Sequence, residues 1–75
     1  MDRTDAAQMV AENVAAQIAR YGVKIAWLSD ETGIPRVTLH RRLTGRTPFN
    51  LTELAAIAAA LRIPIAELLT DLDAA

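Results

Sequence analysis

Residues 24–45 read KIAWLSDETGIPRVTLHRRLTG, and the middle of this stretch decides the fold. Lys24 to Thr32 is one periodic segment, with Ile25, Trp27 and Leu28 as its apolar surface and Gly33 as its stop. Only Gly33 and Ile34 separate it from Pro35. Proline suits the first turn of a helix, where its missing N–H would have no partner anyway. A second helix therefore starts at Pro35 and runs to Thr44, ended by Gly45. Helices over about 24–32 and 35–44, joined by so short a link with a glycine able to take positive φ, must meet at a sharp angle.

Working outward, the segment before this pair is also helical. Thr4 or Asp5 can cap it, and Val10, Val14, Ile18 and Tyr21 recur at helical spacing, with Ala7 and Ala11 beside them. Gly22 follows, so the first helix covers about 5–21. After the loop Arg46-Thr47-Pro48-Phe49, Asn50 and Glu53 have the spacing of a capping box. The helix it opens spans about 51–61, with Leu54, Ile57, Ala58 and Leu61 as its buried stripe. Pro64 then starts a fifth helix, about 64–72, carrying Ile65, Leu68, Leu69 and Leu72, and Asp73, Ala74 and Ala75 fray. The sequence carries no strand signal and no internal repeat. The expected architecture is all-α, a compact five-helix domain formed by residues 1–75 as one unit.

Composition narrows the function. The chain has 75 residues, 52% of them hydrophobic and 23% charged, which is the balance of a small folded domain rather than a disordered one. It has no cysteine, so disulfides, cysteine-ligated zinc and thiol catalysis are excluded. One histidine, His40, cannot build a His-rich metal site, and no metal or other cofactor is expected. Asp30 and Glu31 are adjacent, so on a helix they diverge and do not form an acid–base pair. No activated nucleophile or glycine-rich phosphate loop is present either, and the expected answer is not an enzyme. No apolar run approaches the roughly 20 residues of a membrane helix. The polar, acidic start (Met1, Asp2, Arg3, Thr4, Asp5) does not look like a secretory signal, so a cytoplasmic location without membrane contact is expected.

The net charge is −1, but its distribution is uneven. None of the nine acidic residues lies between Thr32 and Thr52. That window holds four of the eight basic ones, Arg36, Arg41, Arg42 and Arg46, together with His40. All four are arginine, the side chain best shaped to grip phosphate and guanine edges. A charged run is commonly just a solvated face. A basic face directly after a sharp two-helix turn is also the layout that puts a helix into a DNA groove. The acidic remainder would repel phosphate and favour one docking orientation.

These residues resemble the lambda-repressor-like helix-turn-helix family of phage repressors and Cro-like proteins. The resemblance is carried by Leu28 and Ser29, by Thr32-Gly33-Ile34, by Leu39 and by the Leu43-Thr44-Gly45 ending. Downstream, Leu54, Ala55, Ile57, Ala58, Leu61, Ile63 and Leu68-Leu69 match the family's fourth and fifth helices, so about residues 22–70 are covered. Three positions depart from the pattern. Ser29 stands where alanine is usual, and Ile25 where a phosphate-contacting glutamine is frequent. Arg42 occupies a place that is often apolar; its stem could cover the core edge while its head reaches solvent or phosphate.

Helix geometry then assigns faces at about 100° per residue. With Leu39 and Leu43 inward, Val37 and Arg41 point away, Thr38 and Thr44 lie beside them, and His40 and Arg42 take the flanks. Arg36 sits at the N-terminal tip. The expected base readers are Arg36, Val37, His40 and Arg41; a bidentate arginine–guanine pair discriminates by about 1–3 kcal/mol, and Val37 can pack on a thymine methyl. The expected phosphate contacts are Lys24, Thr38, Arg42, Thr44, Arg46, Thr47 and Asn50, with the amides around Asn50 and Leu51 adding a helix N-terminus. Trp27 is read as partly buried packing. Ile65, Leu69 and Leu72 could complete the monomer core or form a homodimer seam. The resemblance implies sequence-specific binding of a double-stranded DNA operator by a transcriptional regulator acting through occupancy. The alternative is a helix-turn-helix scaffold reused to bind a protein, in the manner of an antitoxin or adaptor, which the overall acidity and Ile25 favour.

Overall fold

Two hydroxyls and one glycine build the turn after Thr32. In the structure, a computed structural model that describes residues 3–72, Gly33 takes φ +77° and its amide donates to the Ser29 carbonyl at 2.8 Å. This left-handed cap is available to glycine without a Cβ penalty. Ser29 Oγ donates to the Ile34 carbonyl at 2.6 Å. Thr32 Oγ1 donates back to the Leu28 carbonyl at 2.7 Å and accepts from the Ile34 amide at 3.2 Å. Ser29 is therefore more than a small residue at a tight contact, because its hydroxyl ties the two arms of the turn together.

Four α-helices and one short turn of 3-10 helix make up the described chain: α1 (Arg3–Tyr21), α2 (Ile25–Thr32), α3 (Arg36–Leu43), α4 (Leu51–Leu61) and the 3-10 turn Ile65–Leu68. The capping box at the start of α4 is present, with the Glu53 amide donating to Asn50 Oδ1 at 2.7 Å and the Asn50 amide donating to Glu53 Oε1 at 3.0 Å. Pro35 is the N-cap of α3 (φ −58°, ψ 145°) rather than its first residue, and Thr44 is its C-cap. Helix α1 begins at Arg3, so Thr4 and Asp5 lie within its range rather than at its N-cap position. Neither residue breaks a helix, and alanine-rich sequence after them propagates it.

The core is shared by all five elements. Val14, Leu28, Leu39, Ile57 and Leu68 are fully buried, with Ile34, Phe49, Leu54 and Leu61 around them. A fully buried leucine is worth about 1.5–3 kcal/mol over an exposed one, so five such centres hold a chain of this size. Helix α2 packs on α3 and α4, while α1 packs on α3 and on the 3-10 turn. The whole expected stripe of α4, Leu54, Ile57, Ala58 and Leu61, is buried.

The fifth helix is not formed as expected over 64–72. Only Ile65–Leu68 is helical, as 3-10, and Asp71 adopts φ +71°. Asn13 Nδ2, from α1, donates to the Leu68 carbonyl at 3.2 Å and to the Thr70 carbonyl at 2.9 Å, so the chain after Leu68 is held to α1 in a non-helical course. The fraying expected of Asp73, Ala74 and Ala75 concerns residues outside those described. Trp27 and Tyr21 also depart from their expected packing, being 40% and 46% exposed. Ile25 and Leu28 share one face of α2, but Trp27 is rotated about 100° from Leu28 and joins exposed Lys24, Asp30 and Glu31. Tyr21, at the last turn of α1, has the Arg20 guanidinium 5.7 Å from its ring centre.

Candidate nucleic-acid interface

Helix α3 is anchored by Leu39, which is fully buried, and by half-buried Leu43 packed on the core. That anchoring sends the opposite face outward. Arg36, Val37, His40 and Arg41 are all exposed, Val37 at 66%. An exposed β-branched valine on a helix surrounded by arginines has no packing role within the described chain. Among the described residues neither Arg36 nor Arg41 is in an ion pair. The four expected base readers thus share one solvent-facing surface, one element after the tight turn.

The expected phosphate contacts divide into free and engaged groups. Lys24, the N-cap of α2, is exposed, as is Arg46, while Thr47 and Thr38 are half-buried. Thr44 is exposed, but its hydroxyl donates to the Arg41 carbonyl at 2.7 Å and accepts from the Arg46 amide at 3.4 Å, so it closes the end of α3. Asn50 is exposed and spends its side-chain oxygen on the cap. The Asn50 and Glu53 amides are taken by the capping box. Helix geometry leaves Leu51 and Thr52 as the first-turn donors facing outward. Ile25 is half-buried against the core and offers no polar side chain in place of glutamine.

Arg42 does not send its head into solvent. Its Nε donates to Glu53 Oε1 at 3.0 Å and its Nη2 to Glu53 Oε2 at 3.2 Å, and the two side chains are only 18% and 13% exposed. The fork-on-fork geometry is the strong form of this pair. Glu53 responds accordingly. The Arg42 hydrogen bond foremost, then the Asn50 amide and the arginine charge, hold its carboxyl below the ordinary 4.5 against the opposing effect of burial. The sequence marked Glu53 only as a capping residue. The sequence marked each residue as unusual without pairing them: Glu53 is the first acidic residue after the arginine-rich window, and Arg42 stands where an apolar side chain is usual.

Ile65, Leu69 and Leu72 are half-buried, and Ile65 and Leu69 pack on the core, so much of their apolar surface is already used within the monomer. Among the described residues no helix is long and apolar enough to cross a membrane, and no three His, Asp or Glu side chains gather as a metal site.

Residues 13–73 match a family model described as the Cro/C1-type HTH DNA-binding domain, a DNA-binding family and not an enzyme family. No curated protein and no solved structure matches the chain. The matched span covers most of the 75 residues, including the tight turn, the exposed arginine face of α3 and the capped start of α4, and the chain belongs to the Cro/C1-type helix-turn-helix DNA-binding family.

Proposed function

We propose that α3 is the recognition helix of a repressor that binds a double-stranded DNA operator and acts by occupying it. The observation that carries this reading is the exposed face Arg36, Val37, His40 and Arg41, free of carboxylate partners among the described residues. In this reading Arg36 and Arg41 pair with guanine edges, Val37 packs on a thymine methyl and His40 contacts a flanking base. Lys24 grips phosphate on one side of the groove; Thr38, Thr44, Arg46, Thr47 and Asn50 do so on the other, with the outward amides of α4. Arg42, held by Glu53, is not counted among these contacts.

Selection of bound duplexes from a random DNA pool tests the proposal. The expected result is a defined site whose binding Arg41→Ala weakens by about 1–3 kcal/mol at matched salt. Equal binding by Arg41→Ala would overturn the assignment of α3. The same experiment reads the assembly. A palindromic site with half-sites about one helical turn apart supports two copies, joined through what remains exposed of Ile65, Leu69 and Leu72. A single unrepeated site supports a monomer.

A further inference from the structure

The Arg42–Glu53 pair joins the C-terminal turn of α3 to the N-terminal turn of α4, the seam between the proposed base-reading face and the proposed phosphate clamp. It differs from an ordinary surface ion pair in how firmly the carboxylate is fixed. Glu53 Oε1 accepts from both Arg42 Nε and the Asn50 amide, each at 3.0 Å, while Oε2 accepts from Arg42 Nη2. The residue is also the third position of α4 and receives no freedom from its backbone, because its own amide is held by Asn50 at 2.7 Å. A carboxylate held at three points and mostly shielded from solvent does not give up its guanidinium as readily as a freely rotating one. Exposed pairs are weak largely because two mobile chains must be immobilised, and here one is immobilised by the helix cap already.

Resting on the DNA-binding reading of α3, we propose that Glu53 is a positioning residue that withholds Arg42 from DNA. The withheld arginine follows Arg41 directly on α3 and borders the start of α4. Released, its long side chain would reach the phosphates that Arg46 and the α4 amides are proposed to hold. That contact would tighten binding to every duplex alike, since phosphate contacts carry no sequence information. The pair therefore favours discrimination over total affinity, and it fixes the angle at which α3 enters the groove.

The test compares binding of a random-sequence duplex of about 20 base pairs with binding of the duplex recovered by selection, each over a range of salt. Glu53→Gln keeps an oxygen acceptor for the Asn50 amide and removes the charge that holds Arg42. The expected result is tighter binding of the random duplex, a log K against log salt slope steeper by about 0.9, and a smaller ratio of selected to random affinity. Adding Arg42→Met to that variant should return the slope to the parent's. A purely structural role for Glu53 would weaken both duplexes together and leave the slope unchanged, and that outcome overturns the proposal. Arg42→Met alone keeps the proposal falsifiable should Glu53→Gln fail to fold. Its slope should equal the parent's, and a slope shallower by about 0.9 would show that Arg42 already touches phosphate. Parent protein that binds neither duplex would remove the DNA reading itself, a result separate from either slope.

Discussion

Gly33 and Arg62 occupy the same left-handed backbone region at the ends of α2 and α4, with φ +77° and +58°. They should therefore respond to substitution with opposite sign. A Cβ added at Gly33 meets nothing within 4 Å, so Gly33→Ala isolates the backbone cost, about 1–2 kcal/mol. Arg62→Gly removes that strain but loosens the unfolded chain, leaving a gain of about 0.5–1 kcal/mol. Thermal melts should move down and up respectively, by about 4–8 °C per kcal/mol in a domain of this size. An unchanged Gly33→Ala melt would mean that the turn can be built another way. Gly33 was readable in the sequence because glycine advertises its role. Arg62 was not, because no side chain announces a left-handed cap that the flanking bonds impose. There the Ile63 amide donates to the Ala58 carbonyl at 3.0 Å, and the helix ends whatever stands at position 62. Ser29 shows a third case: its size was legible, but its hydroxyl's partner on Ile34 depended on the turn being folded.

Between elements, the junction of α3 and α4 has a predictable acid response. Glu53 titrates below its ordinary 4.5 when folded, so folding is favoured by its ionised form. Its contribution is complete above about pH 4.5 and is lost as pH falls through the folded value. Melting temperature followed downward from about pH 6 should fall further for the parent than for Glu53→Gln once the pH passes below 4.5. Parallel curves would show that the pair contributes nothing to stability. Local pattern made the limits of α2, α3 and α4 legible to within a residue or so, since caps, prolines and leucine spacing all act over one turn. The buried stripe of α4 was legible for the same reason. Contacts between helices were not. Arg42 and Glu53 are eleven positions apart in different elements, and nothing periodic links them. The outward placement of Trp27 follows from Leu28 occupying the inward face, which only packing decides. Even so, the exposure of Arg36, Val37, His40 and Arg41 was legible in the sequence, because fixing Leu39 and Leu43 inward fixes the opposite side of a helix.

Across the whole molecule, α1 and the segment after α4 close the fold, and Asn13 makes the closure specific. Its side-chain amide spans 55 and 57 residues to reach the Leu68 and Thr70 carbonyls. Asn13→Ala should cost about 1–2 kcal/mol, the worth of two hydrogen bonds of this kind. Hydrogen exchange at the Leu69 amide, which donates to Ala66, should accelerate more than at Leu39 or Leu54. Uniform acceleration would show that the last segment has no stability of its own to lose. The fifth helix was the least legible element because 64–72 has helical spacing, while the bonds that hold its last residues to α1 join distant parts of the chain. The Cα radius of gyration, 11.5 Å, is close to the roughly 11 Å of a well-packed chain of this length, so little slack remains in the arrangement.

The reach of Asn13 has a consequence for how the protein is made. A ribosome delivers α1 more than fifty peptide bonds before residues 68–70, so the Asn13 amide must wait for nearly the whole domain before it finds those acceptors. Until then the nascent domain lacks its closing bonds, and the α3 surface emerges on a body not yet sealed. Final assembly of the domain is thus deferred until residues 68–70 have been synthesised.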